Sequence, residues 1–306
     1  MMPDIRKIAA VAVTFISNFI VVKLFWTFAL FTPIEGCGTV SYLKSLLLYL
    51  HIAPVADNVA IVLSVVSLLV PCLVYRTDLV QHVTLWLMGA RRAQGEDRQR
   101  IEDAFSQVCE RNGSSLGDYN LYVAETEEEN AWAFGANHVA VTRPLLNVLS
   151  QEELAGVLAH EAGHLAHGDT GMLTLTACMQ NVGHLADTIL CGVTNVCVWV
   201  AKIPIVGLAA AVLSWFITLT LILLRLLVNL PSNLIILYLS RQDEYAADDY
   251  ACELGLGREL YNGLSRFCCG DQKMSFWQRI QSTHPDIANR LARIHDFVER
   301  QYRKAA

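Results

Sequence analysis

Charge is what this sequence has least of. Only 17% of its 306 residues are Asp, Glu, Lys or Arg, and 54% are hydrophobic, whereas an ordinary soluble domain carries about a quarter charged residues. Such a deficit points to a protein that lives in a bilayer. Basic runs of the nucleic-acid-binding kind are missing, and the formal net charge is only -6, which argues against a nucleic-acid partner. Paired CxxC motifs are missing as well. The nine cysteines are scattered, and the adjacent Cys268 and Cys269 suit neither a disulfide framework nor a paired zinc site. They read as buried or free thiols in a reducing compartment. No internal repeat or low-complexity tract is visible.

Long apolar runs are what the chain does have. Residues 8–31 are apolar except for Lys23 and a few small polar groups, and Asn58 to Tyr75 is free of charge; each is long enough to cross a bilayer as a helix. The piece between them, Tyr42 to Leu50, suits an interfacial segment or a plain loop. Two more runs, Thr170 to Ala201 and Ile203 to Leu224, form a membrane hairpin. Its first arm holds Asp187, either at its far end or inside the bundle, where ionisable residues are often functional. Arg6, Lys7, Arg76, Arg91, Arg92, Arg98 and Arg100 fall on one side of the first two spans and Lys44 alone on the other, so the basic side is expected to be cytoplasmic. Trp86, close to Arg91 and Arg92, fits the membrane interface. The chain thus divides into two N-terminal spans and a linker (1–95), a first soluble part (96–169), a hairpin (170–239) and a second soluble part (240–306).

The soluble part opens with a helix from Glu96 to Asn112, stopped by Gly113. Strand-like pieces at Asn120 to Ala124 and Val139 to Thr142 flank Asn130, Ala131, Trp132, Ala133, Phe134 and Gly135. In that segment small residues alternate with aromatics, as in an edge strand open to an extended peptide or in a strand packing its aromatics inward. Next comes HEAGH, His160 to His164. Ser150 and Glu153 form a capping box ahead of it, Leu154, Val157, Leu158 and Leu165 make an apolar stripe, and Gly168 ends the helix. Residues four apart on a helix share a face, so His160 and His164 can put two imidazoles on one metal ion. Glu161 then sits beside the metal, placed to act as a general base on water. Downstream, Glu244 and Asp248 are again four apart, and one can ligate while the other holds a histidine through its second ring nitrogen. Asp243, Asp249 and Glu253 remain rivals on spacing alone. Ile287, Leu291, Ile294 and Val298 mark a last amphipathic helix, preceded by His284 and Pro285 and containing Arg290.

Taken together, these motifs make the sequence resemble the HtpX-type membrane metallopeptidases, relatives of the CAAX prenyl endopeptidases. Four matches carry the resemblance in the family's order: NAWAFG at Asn130 to Gly135, HEAGH with the following HGD, SRQDEYAAD at Ser240 to Asp248, and THP at Thr283 to Pro285 with Arg290 after it. Two positions depart from the family pattern, Asp286 for a second Pro and Trp132 for the commoner Phe. The resemblance implies a mostly α integral membrane protein, with four transmembrane helices and a zincin-like α+β catalytic domain carrying a small antiparallel sheet. It implies one zinc ion (Zn2+) per chain, held by His160, His164 and Glu244, with Asp248 orienting a ligand histidine and His167 outside the ligand set. Glu161 would be the general base, His284 and Arg290 oxyanion donors, and Asn130 to Gly135 the substrate-aligning segment. The implied substrates are membrane proteins or unfolded polypeptides, cleaved in quality control at a bacterial inner membrane from its cytoplasmic side. Processing of a prenylated substrate, or a scaffold with a purely structural zinc, are the alternatives.

Overall fold

Helices dominate the computed structural model, which describes residues 5–31, 56–203, 207–267 and 286–305. In chain order they are α1 (Ile5–Phe31), α2 (Ala56–Tyr75), α3 (Asp78–Leu87), α4 (Gly95–Asn112), α5 (Arg143–Val148), α6 (Gln151–His167), α7 (Asp169–Val200), α8 (Gly207–Leu224), α9 (Leu230–Glu253), α10 (Gly257–Ser265) and α11 (Ile287–Ala305). Four strands lie among them: β1 (Ala90–Arg92), β2 (Asn120–Ala124), β3 (Ala131–Phe134) and β4 (His138–Thr142). The chain forms two compact units, Met1–Tyr75 with Leu175–Ile235, and Arg76–Thr174 with Ile236–Ala306.

In the first unit the charge-poor runs are helical, and 4 helical stretches of the described chain are long and apolar enough to cross a membrane. Apolar contact between Val21, Val22, Leu68, Cys72 and Met179 makes its core. Hydroxyls buried here return their protons to their own helix, as Thr14 Oγ1 does to the Ala10 carbonyl at 2.8 Å, since no water reaches them in a bilayer. Asp187 lies well inside α7, not at its end, and accepts a 2.6 Å hydrogen bond from Arg225 Nη2. Arg225 opens a single π turn, Arg225–Asn229. Pro231, which lacks an N–H and crowds the carbonyl four residues back, accounts for that widened turn. The Tyr42 to Leu50 piece lies outside the described residues.

The second unit is built around α6. Its N-terminus carries the expected capping box: Ser150 Oγ accepts from the Glu153 N–H at 3.2 Å, and Glu153 Oε2 accepts from the Ser150 N–H at 2.7 Å. Gly168 ends it in the left-handed conformation, φ 70°. Ile101, Phe105 and Val108 of α4, Val139 and Val141 of β4, and Leu256 and Leu260 close over Leu154 and Leu158. Each such fully buried side chain stabilises the unit by about 1.5–3 kcal/mol.

The sheet order is β1-β2-β4-β3. It is mixed and not wholly antiparallel, because β2 and β4 run parallel, with Asn120 opposite His138 and Ala124 opposite Thr142. The cause is topological. The chain leaves β2, passes the acidic stretch from Glu125 to Glu129, and enters β3 on the far side of β4, to which a short turn joins it antiparallel. β1, three residues long, is too short for its alternation to show in the sequence.

Close packing of α6 on α10 depends on Gly156. A Cβ built there would lie 2.2 Å from the Leu260 backbone nitrogen. Alanine would gain up to about 1 kcal/mol of helix propensity, but parting the two helices costs about 1–3 kcal/mol. Gly156→Ala should therefore lower the thermal-unfolding midpoint of the detergent-solubilised protein, and Gly156→Val should lower it further. An unchanged midpoint in both would show that the helices do not meet there.

Candidate metal centre

Two turns of α6 supply the first donors. His160 and Glu161 are buried, and His164 has 14% of its side chain exposed. The third donor comes from α9, where Glu244 is also buried. Gly163 permits that approach, since a Cβ at this position would lie 3.0 Å from the Ala247 Cα. One donor atom from each of His160, His164 and Glu244 lies within 4.8 Å of the others. His160 Nε2 is 3.5 Å from Glu244 Oε2, and His164 Nε2 is 3.8 Å from Glu244 Oε1.

The far sides of both rings are held by carboxylates. His160 Nδ1 lies 2.9 Å from Asp248 Oδ1, and His164 Nδ1 lies 2.9 Å from Asp169 Oδ2. Each carboxylate favours the proton on Nδ1, which leaves Nε2 as a lone-pair donor directed toward Glu244. Two imidazole nitrogens and one carboxylate oxygen, with water able to complete a fourfold set, are the donors that a divalent ion of the zinc class takes. The charges agree with that use. Burial and the Arg290 guanidinium both oppose a proton on His160, yet Asp248 and Glu244 outweigh them and hold its pKa up at about 9, so that without a metal a second proton occupies the place on Nε2 that a bound cation would take. The cluster thus attracts positive charge.

Arg290 is buried and holds two of these carboxylates. Its Nε and Nη2 donate to Asp248 at 2.9 and 2.6 Å, and its Nη1 lies 2.9 Å from Glu244 Oε2. It therefore fixes the third donor and the orienting carboxylate together. His284 lies outside the described residues. Of the rival acids, Asp249 is paired with Arg293. His167 packs edge-on against Tyr250, away from the three donors that converge. Asp169 is fully buried, a member of the site that neither spacing nor the family resemblance assigns to it. Its one signal is HGD, where the helix stop at Gly168 turns the chain so that the next side chain faces back toward His164.

Glu161 is the group beside the donors. Burial pushes its carboxyl above the ordinary carboxylate range, against the pull of His160 and His164. Its Oε2 accepts a 2.7 Å hydrogen bond from the Ala133 N–H. Strand β3 is thereby tied to the site. The Asn130 N–H and C=O bond to Thr142, at 2.9 Å each, so by alternation Ala131, Ala133 and Gly135 turn their peptide groups to the outer edge of the sheet. Gly135 C=O there accepts from Thr170 Oγ1 at 2.6 Å. Trp132 and Phe134 pack against Leu85, Tyr122 and Ala140. The two readings of this segment are compatible: its aromatics face inward, and its backbone forms the sheet's edge.

Comparison with known proteins agrees with this geometry. The profile of Peptidase family M48 matches residues 95–298. The protein is 29% identical over 251 residues to "Protease HtpX homolog" of Acidiphilium cryptum, covering 70% of this chain and 79% of that one. It is 30% identical over 208 residues to "Protease HtpX" of Nitrosococcus oceani, covering 58% and 65%. Among solved structures, S. mikatae Ste24p has a likeness of TM-score 0.51 at 16% identity, covering 90% of this chain and 62% of that chain; this likeness bears on the fold alone.

Carboxylates that orient metal-bound histidines typically contribute 10–100-fold in affinity. Asp169→Asn should accordingly weaken divalent-metal binding about 10–100-fold, measured by competition with a chelator, while helix content by circular dichroism stays unchanged. Undiminished affinity would show that Asp169 does not position His164.

Proposed function

The chain belongs to peptidase family M48, and from that premise we propose that it is a membrane-embedded zinc endopeptidase cleaving membrane or unfolded polypeptides in quality control. The observation that carries this reading is the convergence of His160, His164 and Glu244 within 4.8 Å, with Glu161 alongside. A zinc ion held by these donors supplies a Lewis acid that polarises the scissile carbonyl and acidifies water. Glu161 takes the proton from the attacking water and returns it to the leaving amine, the role its buried position beside the donors suits. Asp248 and Asp169 keep the two imidazoles in the donor tautomer, and Arg290 steadies Asp248 and Glu244. The outer edge of β3, through the peptide group of Ala131 and the Ala133 carbonyl, aligns an extended substrate by strand addition, the Ala133 N–H being taken up by Glu161.

The setting is also part of the proposal. The Arg and Lys bias around the first two spans favours the catalytic residues on the cytoplasmic side, and the likeness to bacterial HtpX proteases supports a bacterial inner membrane as the setting. Unassembled membrane proteins and unfolded chains are the substrates that such a site meets in extended form, and an edge strand reads backbone more than side chains.

Glu161→Gln should retain about one zinc per chain and lose about 10²–10⁴-fold in cleavage of an unfolded test protein such as casein. Wild-type turnover by that variant would sink the mechanism. Glu244→Ala should lose both metal and cleavage. Zinc retained at full stoichiometry in Glu244→Ala would mean that the third ligand lies elsewhere.

A further inference from the structure

Helix α3 has two unlike faces. Leu85 packs beneath the sheet with Ala90, Tyr122 and Ala140, and with Trp132 and Phe134 of β3. Gln81, one turn away on the same side, has its Oε1 3.1 Å from His138 Nε2, and a Cβ built on Gly135 would come within 2.7 Å of that oxygen. The opposite face is apolar and uncovered. Leu79 is 74% exposed, Trp86 73% and Leu87 72%, with Val83 between them at 46%. At 100° per residue Leu79, Val83 and Trp86 fall within one stripe about 60° wide, centred about 130° from Leu85 on the docked face. Soluble proteins seldom leave such a stripe to water.

We propose that this outer face is a bilayer-docking surface, on which α3 lies in the lipid headgroup region. Chain length supports the lipid as its occupant. Only Arg76 and Thr77 separate α3 from Tyr75, the last residue of a span, so at most about 11 Å of chain connects the two helices. An amphipathic helix in that position sinks its apolar face about 5–10 Å into the interface. Trp86 is the side chain most at home at that depth, and the exposed Arg76 meets anionic headgroups. A second copy of this chain is a poorer fit. One face of a 10-residue helix falls well short of the roughly 800 Å² per partner that a stable interface buries. Because its inner face supports β3, docking of α3 also sets where the substrate-aligning edge sits with respect to the lipid.

The test uses the full chain in phosphatidylcholine and phosphatidylglycerol vesicles, with Trp86→Phe to isolate the emission of Trp86. That emission should be quenched by lipids brominated high on the acyl chain and shielded from aqueous acrylamide. Leu79→Glu combined with Val83→Glu, both on exposed positions, should abolish the lipid quenching while metal content is kept. In the same variant KM for a membrane-anchored substrate should rise severalfold, and KM for a water-soluble peptide should not. Ready quenching by acrylamide would overturn the proposal, as would protection from both quenchers, which means a protein cover. An equal rise in both KM values would remove the link to β3. The quenching measurement needs no catalysis, so its failure with cleavage intact leaves the protease reading standing.

Discussion

Two close contacts between an imidazole Nδ1 and a buried carboxylate organise the functional half of this protein. One runs from His160 to Asp248 and the other from His164 to Asp169, each 2.9 Å long. A histidine without such a partner can present either ring nitrogen and rotate about its side-chain bonds. With the partner in place, its Nε2 has one direction. Both carboxylates lie outside α6, so the site exists only when α6, the start of α7 and α9 are all in place. Arg290 of α11 adds a fourth element by bridging Asp248 and Glu244. Breaking a buried pair of this kind leaves an uncompensated charge and typically costs about 3–5 kcal/mol. The ligand geometry is therefore as rigid as the packing of four helices.

The same packing links the metal donors to the sheet. Ala133 donates to Glu161 and Gly135 accepts from Thr170, the residue after Asp169. The strand edge, Glu161 and the carboxylate beside His164 thus share one short chain of contacts. Since β3 is the edge strand, its outer peptide groups are directed toward the site and not toward another strand of the sheet. The proposed hydrolysis would need this arrangement, because the scissile bond would have to lie within reach of Glu161 and the metal donors together.

Much of this arrangement is legible in the amino-acid sequence. The capping box at Ser150 and Glu153, the stop at Gly168 and the four-residue spacing of His160 and His164 are local features, and the helix follows them closely. So do the apolar runs, whose length and lack of charge admit few other outcomes. Strand order is less visible, since the parallel pairing of β2 with β4 arises from where β3 is inserted and not from the composition of either strand. The family resemblance makes Arg290 an oxyanion donor; in the structure its guanidinium is held by Asp248 and Glu244, contacts that bring together residues 42 and 46 positions away from it in the chain.

Sequence alone determined what repeats within a few residues: helix starts and stops, the pair of histidines on one face, the glutamate between them, and stretches too apolar for water. These depend on backbone geometry and side-chain chemistry that each segment carries with it. Only the tertiary structure decided which distant acid faces which imidazole, why Asp249 pairs with Arg293 while Glu244 joins the histidines, and that Asp169 completes the set. Those choices rest on how helices approach one another, as Gly163 allows α9 to come close to α6. Such approaches depend on the shapes of both partners, and no single stretch of sequence contains both.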